Sequence, residues 1–95
     1  MSKIKVTKLI NNQYIIGKTS ESAGFLNIED PYQLVPDIQN ISMLPYDEWI
    51  LGKKIQTISI SIDNIIYSEE PSEALKNTYL ESLTGLEIPD NQLIV

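Results

Sequence analysis

A chain of 95 residues, 42% of them apolar, supports one small globular domain; such a core buries only about 60–65% of the surface its unfolded form exposes. Cysteine and histidine are both missing, which excludes disulfides, thiolate metal sites and the commonest general base. All seven cations are lysines and the net charge is −6, the wrong sign for a surface that holds nucleic acid through its phosphates.

The charge is uneven along the chain. Residues 1–62 carry six lysines and six acids, and residues 63–95 carry seven acids and one lysine. No apolar run is long enough for a secretory signal or a membrane span, so the expected location is the cytoplasm, with no membrane partner.

The stretch KIKVTKLI alternates at Ile4 and Val6, the period of a half-buried strand. Asn11 and Asn12 tolerate the left-handed backbone that a tight hairpin needs. QYIIGKTSES is the return strand, fading into a polar loop at Ser20 to Gly24. GFLNIEDPYQLVP is a third strand, in which Pro31 and Pro36 favour an edge or a bulge. Residues 37–54 have no clean period and read as a long loop or hairpin tip. IQTISISI alternates again, with Ile58, Ile60 and Ile62 on one face and Thr57, Ser59 and Ser61 on the other. The pair Asp63-Asn64 turns the chain into a short strand, IIYS.

From Pro71 the period becomes helical. Pro71 suits the first position of a helix, Glu69, Glu70 and Glu73 suit its positive end, and Gly85 suits its stop. Leu75, Tyr79, Leu83 and Leu86 form one apolar stripe, and the tail EIPDNQLIV reads as an extended arm. Five short strands in meander order with a terminal helix over about 71–84 predict a mainly all-β fold. The expected architecture is a small, strongly bent antiparallel barrel over about 3–68, followed by helix and tail over 69–95. Such a sheet keeps an open edge that needs cover.

On this strand order, LINNQYIIGKTSESAGFLNIED resembles the first motif of the Sm/LSm family, small bent barrels of the SH3-like type that form rings and bind RNA. Leu9, Asn11, Gly17, Phe25, Leu26, Asn27 and Ile28 fall on its positions. ISIDNIIYS is similar to the second motif at Ile60, Asp63, Asn64, Ile65, Ile66 and Tyr67. The chain departs from the family at Asn12 for a turn glycine, Ala23 for a loop aspartate, and Ser61 and Ile62 for an arginine and a glycine. The family's N-terminal helix is replaced by one at the C-terminus. The whole is similar to small Sm-like proteins attributed to marine cyanophage.

The resemblance implies a homo-oligomeric ring of roughly five to seven subunits and a degenerate pocket for single-stranded RNA built from Phe25, Asn27, Ser61, Asp63 and Asn64. Phe25 would supply one stacking face and Asn27 an amide reader. Ser61 does not replace the arginine's second face, so the implied binding is weak or altered.

Each residue also has a plainer reading. Phe25 and Trp49 suit a core, with Trp49 plugging one end of the barrel; Asn27 suits a bond to its own loop backbone. Lys3, Lys5 and Lys8 suit protection of a strand edge, and the tyrosines, Tyr67 among them, suit cross-strand packing. Tyr46 and Trp49, beside acids in MLPYDEW, suit an anchor for a protein partner. That second role makes the chain a protein–protein scaffold or phage assembly module that keeps the ring without RNA. No serine has a histidine to activate it, no glycine-rich phosphate loop is present, and Glu69 and Glu70 alone do not hold a metal. The expectation is a non-enzyme without cofactor or metal.

Overall fold

The computed structural model describes residues 3–84. The expected helix stop at Gly85, the end of the stripe at Leu86 and the extended tail lie outside those residues. Six strands form one antiparallel sheet: β1 (Lys3–Leu9), β2 (Tyr14–Ser22), β3 (Phe25–Pro36), β4 (Ile41–Pro45), β5 (Thr57–Ser61) and β6 (Ile65–Glu69). A short helix α1 (Glu48–Leu51) lies between β4 and β5, a 3-10 turn (Ile62–Asn64) joins β5 to β6, and helix α2 (Glu73–Thr84) follows. The mainly-β class and the C-terminal helix agree with the sequence reading; the strand count and order differ from it.

The strands run β4-β3-β2-β1-β6, with β5 also paired to β3. β1 to β4 form a meander; β5 and β6 leave it, pairing back to β3 and to β1. β3 is long enough to pair with β5 through Phe25–Glu29 and with β4 through Tyr32–Pro36. Residues 37–54, expected as a long loop or hairpin tip, contain β4 and α1. The final strand crosses over to β1, so β1 is an interior strand. Lys3, Lys5 and Lys8 do not guard an edge; Lys8 lies over the Tyr14 ring, 5.2 Å from its centroid. Among the described residues the sheet does not close, because β6 at one end and β4 and β5 at the other are each paired on one side only.

Two turns set the hairpins. Asn12 takes φ 70°, and its N–H donates to the Leu9 carbonyl at 2.9 Å while the Asn11 side chain accepts from Gln13 N–H at 3.0 Å. β2 continues past the expected loop to Ser22, which faces Phe25, leaving Ala23 (φ 53°) and Gly24 (φ 82°) as a two-residue turn. Positive φ at both central residues matches the twist of the strands, at a steric cost for alanine.

Pro31 does mark a bulge. The register passes from Ile16↔Tyr32 to Lys18↔Glu29, so Asp30 and Pro31 together oppose Gly17. Proline has no ladder N–H to lose there. The extra residue turns β3 over. Leu26 and Ile28 join Leu9 and Ile15 in one core, with Ile58, Ile60, Ile65 and Tyr46 against it. Tyr32 and Leu34 join Ile16 and Tyr79 in a second core on the other face. The buried hydroxyls are satisfied: Thr7 Oγ1 and Ser68 Oγ are 3.0 Å apart, and Thr19 donates to the Lys3 carbonyl.

Helix α2 covers the second core with Leu75, Tyr79 and Leu83, as its spacing predicts. It starts two residues beyond Pro71. Ser72 Oγ accepts from Leu75 N–H at 3.2 Å and so caps the first turn. Tyr79 is fully buried, and its hydroxyl donates to the Asp30 carbonyl at 2.8 Å; its ring meets Tyr32 edge-on at 5.7 Å. Burial first, then the neighbouring Asp30, Tyr32 and Glu29, hold this phenol far above its usual range, against a smaller lowering from a backbone hydrogen bond at Lys18. The helix is thus pinned to the bulge.

Candidate functional site

The outer surface where β3 meets β5 brings most of the expected RNA-contact residues together. Phe25 faces Ser61, and Asn27 faces Ser59, so these four share one side of the sheet, opposite to Leu26 and Ile28. Ser20 and Ser22 extend the same surface across β2. Phe25 is 46% exposed, which corrects the plain expectation that it belongs to the core. Its parity with Asn27 and Glu29 sets it outward.

Asn27 does not bond to its own loop backbone. Its amide oxygen accepts from Ser59 Oγ at 2.6 Å, and its amide nitrogen donates to Ser22 Oγ at 3.1 Å. One amide hydrogen and one oxygen lone pair stay available. Ser22 and Ser59 are therefore positioning residues that the family pattern does not identify; the alternation of ISIS was the signal for Ser59.

The turn after β5 keeps Asp63 beside this surface, through its N–H and Ser61 Oγ at 3.4 Å. The Ile62 N–H donates to the Gly24 carbonyl, which fastens the β2–β3 turn to the start of the same segment. Asn64 diverges: its carbonyl accepts from Ile10 N–H at 3.0 Å, at the β1–β2 turn. Four of the five expected residues form one rim, and Asn64 lies at the far end of the 3-10 turn from Phe25. The rim offers one stacking face, one amide and several hydroxyls, with a carboxylate at its border.

The other expected contact pair is divided between core and solvent. Tyr46 packs against the first core, and burial, then the Asp47 carboxylate, raise its phenol above the ordinary value. Trp49 does not plug the barrel. It is 85% exposed on α1, beside exposed Ile50 and Leu51, two neighbours the sequence reading did not single out. The capping residues Asp47 (φ 54°) and Gly52 (φ 76°) both take left-handed backbone and set this apolar turn apart as a tip.

Among the described residues, no three His, Cys, Asp or Glu side chains gather as a metal-binding group, and no helix is long and apolar enough to cross a membrane. No family model matches the chain, and no curated protein matches it either.

Proposed function

We propose that this chain is a non-catalytic, Sm-like cytoplasmic subunit that joins copies of itself through its edge strands β5 and β6 into a ring of roughly five to seven, and that the Phe25–Asn27 rim takes single-stranded RNA weakly. The observation that carries the reading is the character of the edges. β5 is Thr-Ile-Ser-Ile-Ser, with no charge and no proline, and β6 is Ile-Ile-Tyr-Ser-Glu, with exposed Ile66 and Tyr67. Edge strands that stay unpaired normally carry lysines, prolines or bulges against pairing. Support for the RNA role is narrower: Phe25 is exposed for stacking and Asn27 is held beside it, an arrangement suited to one base face.

The test combines light-scattering mass with anisotropy of labelled oligouridine at low and physiological salt. A closed oligomer whose uridine affinity falls with salt, and falls again with Phe25→Ser or Asn27→Ala, supports both parts. A monomer at all concentrations overturns the ring, and an oligomer indifferent to oligouridine overturns the RNA role.

A second reading is favoured by the exposed Trp49, Ile50 and Leu51: the oligomer is a scaffold, such as a phage assembly module, and this tip anchors a protein partner. Tryptophan on a protruding tip is a common interface hot spot. Under that reading Trp49→Ala abolishes partner capture and leaves oligomer mass and RNA behaviour unchanged.

A further inference from the structure

A cavity of about 340 Å³ opens where the bulge of β3, the end of β4, the residues before β5 and the last turn of α2 meet. None of the Phe25 rim residues lines it. Its size lies within the range of small-molecule sites, about 300–1,000 Å³. The walls divide by chemistry: Pro45, Ile55 and Leu83 are apolar, while Lys18, Asp30 and Lys54 bring two cations and a carboxylate to the same space. The fold places these charges. Lys54 Nζ donates to the Tyr32 hydroxyl at 3.3 Å and lies 5.8 Å from the centre of that buried ring. The ammonium is thus anchored without being neutralised, and neither ion pair among the described residues uses it. Asp30 takes left-handed backbone (φ 52°), its N–H donates to the Gln56 carbonyl at 2.7 Å, and its carbonyl accepts from the Tyr79 hydroxyl at 2.8 Å. Its carboxylate lies 3.7 Å from Lys18 Nζ, a partly exposed pair that leaves acceptor capacity on the oxygens.

We infer that this cavity is a binding site for a nucleoside monophosphate, its phosphate held by Lys54 and Lys18, its ribose hydroxyls by Asp30, and its base against Pro45, Ile55 and Leu83. The ligand class follows from the groups present. Two ammonium groups against one carboxylate leave one positive charge in excess, which selects an anion, and lysine serves phosphate as a point charge. The carboxylate only accepts, so the ligand must also bring donors. Inorganic phosphate leaves the apolar wall empty, and an aliphatic acid leaves Asp30 unmatched. A zwitterionic amino acid sets a second cation beside Lys18 and cancels the net attraction. A nucleotide supplies the anion, the hydroxyl donors and the flat apolar body together, and Gln56 on the same wall adds an amide for the edge of the base. The site lies within one chain, so it stands or falls independently of self-assembly and of the rim.

The test titrates the isotopically labelled full chain with adenosine monophosphate and follows its backbone amides by NMR, with ribose phosphate and inorganic phosphate as separate arms. The nucleotide should saturate with a Kd below about 1 mM and move the amides of Lys18, Asp30, Lys54, Ile55, Gln56 and Leu83. Ribose phosphate, which lacks the base, should bind at least about fivefold more weakly. Circular dichroism first confirms that each variant folds. Lys54→Gln keeps most of the stem and should weaken the nucleotide at least about fivefold. Asp30→Asn still accepts left-handed backbone; it should weaken the nucleotide at least about threefold and leave inorganic phosphate as tight or tighter. Phe25→Ser should change neither. No saturation below about 10 mM, or inorganic phosphate as tight as the nucleotide (an adventitious ion only), overturns the site. Ribose phosphate as tight as the nucleotide overturns the base wall and with it the ligand class. Loss of nucleotide in Phe25→Ser moves binding to the rim and overturns the site, as does unchanged affinity in both Lys54→Gln and Asp30→Asn.

Discussion

Replacing Gly17 with alanine should be among the most damaging small changes available to this fold. Gly17 faces the bulge of β3, and a Cβ built on it would fall inside van der Waals contact of Ile28 Cγ2, 2.9 Å from the Glu29 carbonyl oxygen and 3.5 Å from the Pro31 Cα. Ile28 is fully buried in the first core, and the other two groups are backbone. None can move aside without disturbing the bulge. Overpacking of this kind costs about 1–3 kcal/mol, and two rigid neighbours place Gly17→Ala near about 3. For a domain of this size that is a drop in Tm of about 12–24 °C. The assay is thermal and urea unfolding followed by far-ultraviolet circular dichroism, because the exposed Trp49 reports little on the core. A companion variant sharpens the test. Ile28→Leu leaves a single γ carbon, so the double change should be about 1 kcal/mol less damaging than the sum of the two single changes. A Gly17→Ala chain within about 0.5 kcal/mol of the starting protein would falsify the account of the bulge.

Further outcomes follow from other positions. Ala23→Gly, at φ 53° in the β2–β3 turn, should stabilise the chain by about 0.5–1 kcal/mol, read as a higher urea midpoint with unchanged slope. Tyr79→Phe removes the hydrogen bond to Asp30 and should cost about 1–2 kcal/mol in the same assay. The same phenol gives a pH dependence. Its ionisation is suppressed in the fold, so its contribution is complete below the unfolded tyrosine value of about 10 and is lost as pH rises above it; Tyr79→Phe should flatten the alkaline fall in Tm. Trp49→Ser should leave stability within about 0.5 kcal/mol, and the emission of the starting protein should sit at the wavelength of solvated indole.

Much of the architecture is visible in the sequence because alternation and helical period are strong signals where one face is buried. Ile58 and Ile60 opposite Ser59 and Ser61, and Leu75, Tyr79 and Leu83 on α2, pack as their spacing says. β4 is not visible. Its residues, ISMLP, have no clean period, and they become a strand because the second half of β3 offers them a ladder. The core reading of Phe25 rests on chemistry alone and fails, because its parity with Asn27 and Glu29, opposite Leu26 and Ile28, points outward. Trp49 had no such partner pattern, so nothing local distinguished a plug from a tip. The rim is legible in outline and not in detail: the family pattern marks Phe25 and Asn27, whereas Ser22 reaches Asn27 only once the hairpin has formed. Asn64 joins the rim only through its match to the second family motif, and a three-residue 3-10 turn is enough to carry its carbonyl to Ile10.

The long third strand has a dynamic consequence. β3 is hydrogen-bonded on both sides along nearly its whole length and contributes Leu26 and Ile28 to one core and Tyr32 and Leu34 to the other. Its amides can reach solvent deuterium only when both cores come apart at once, so their exchange should report the global opening of the molecule. The segment from β4 to α1 hangs from half of that strand and exposes most of its apolar side chains. It should exchange far sooner, as a separate cooperative unit. On that expectation β3 is the spine of the molecule and the β4–α1 segment a flap held by Met43 and Tyr46, and the apolar tip at Trp49 rides on the part that should open first.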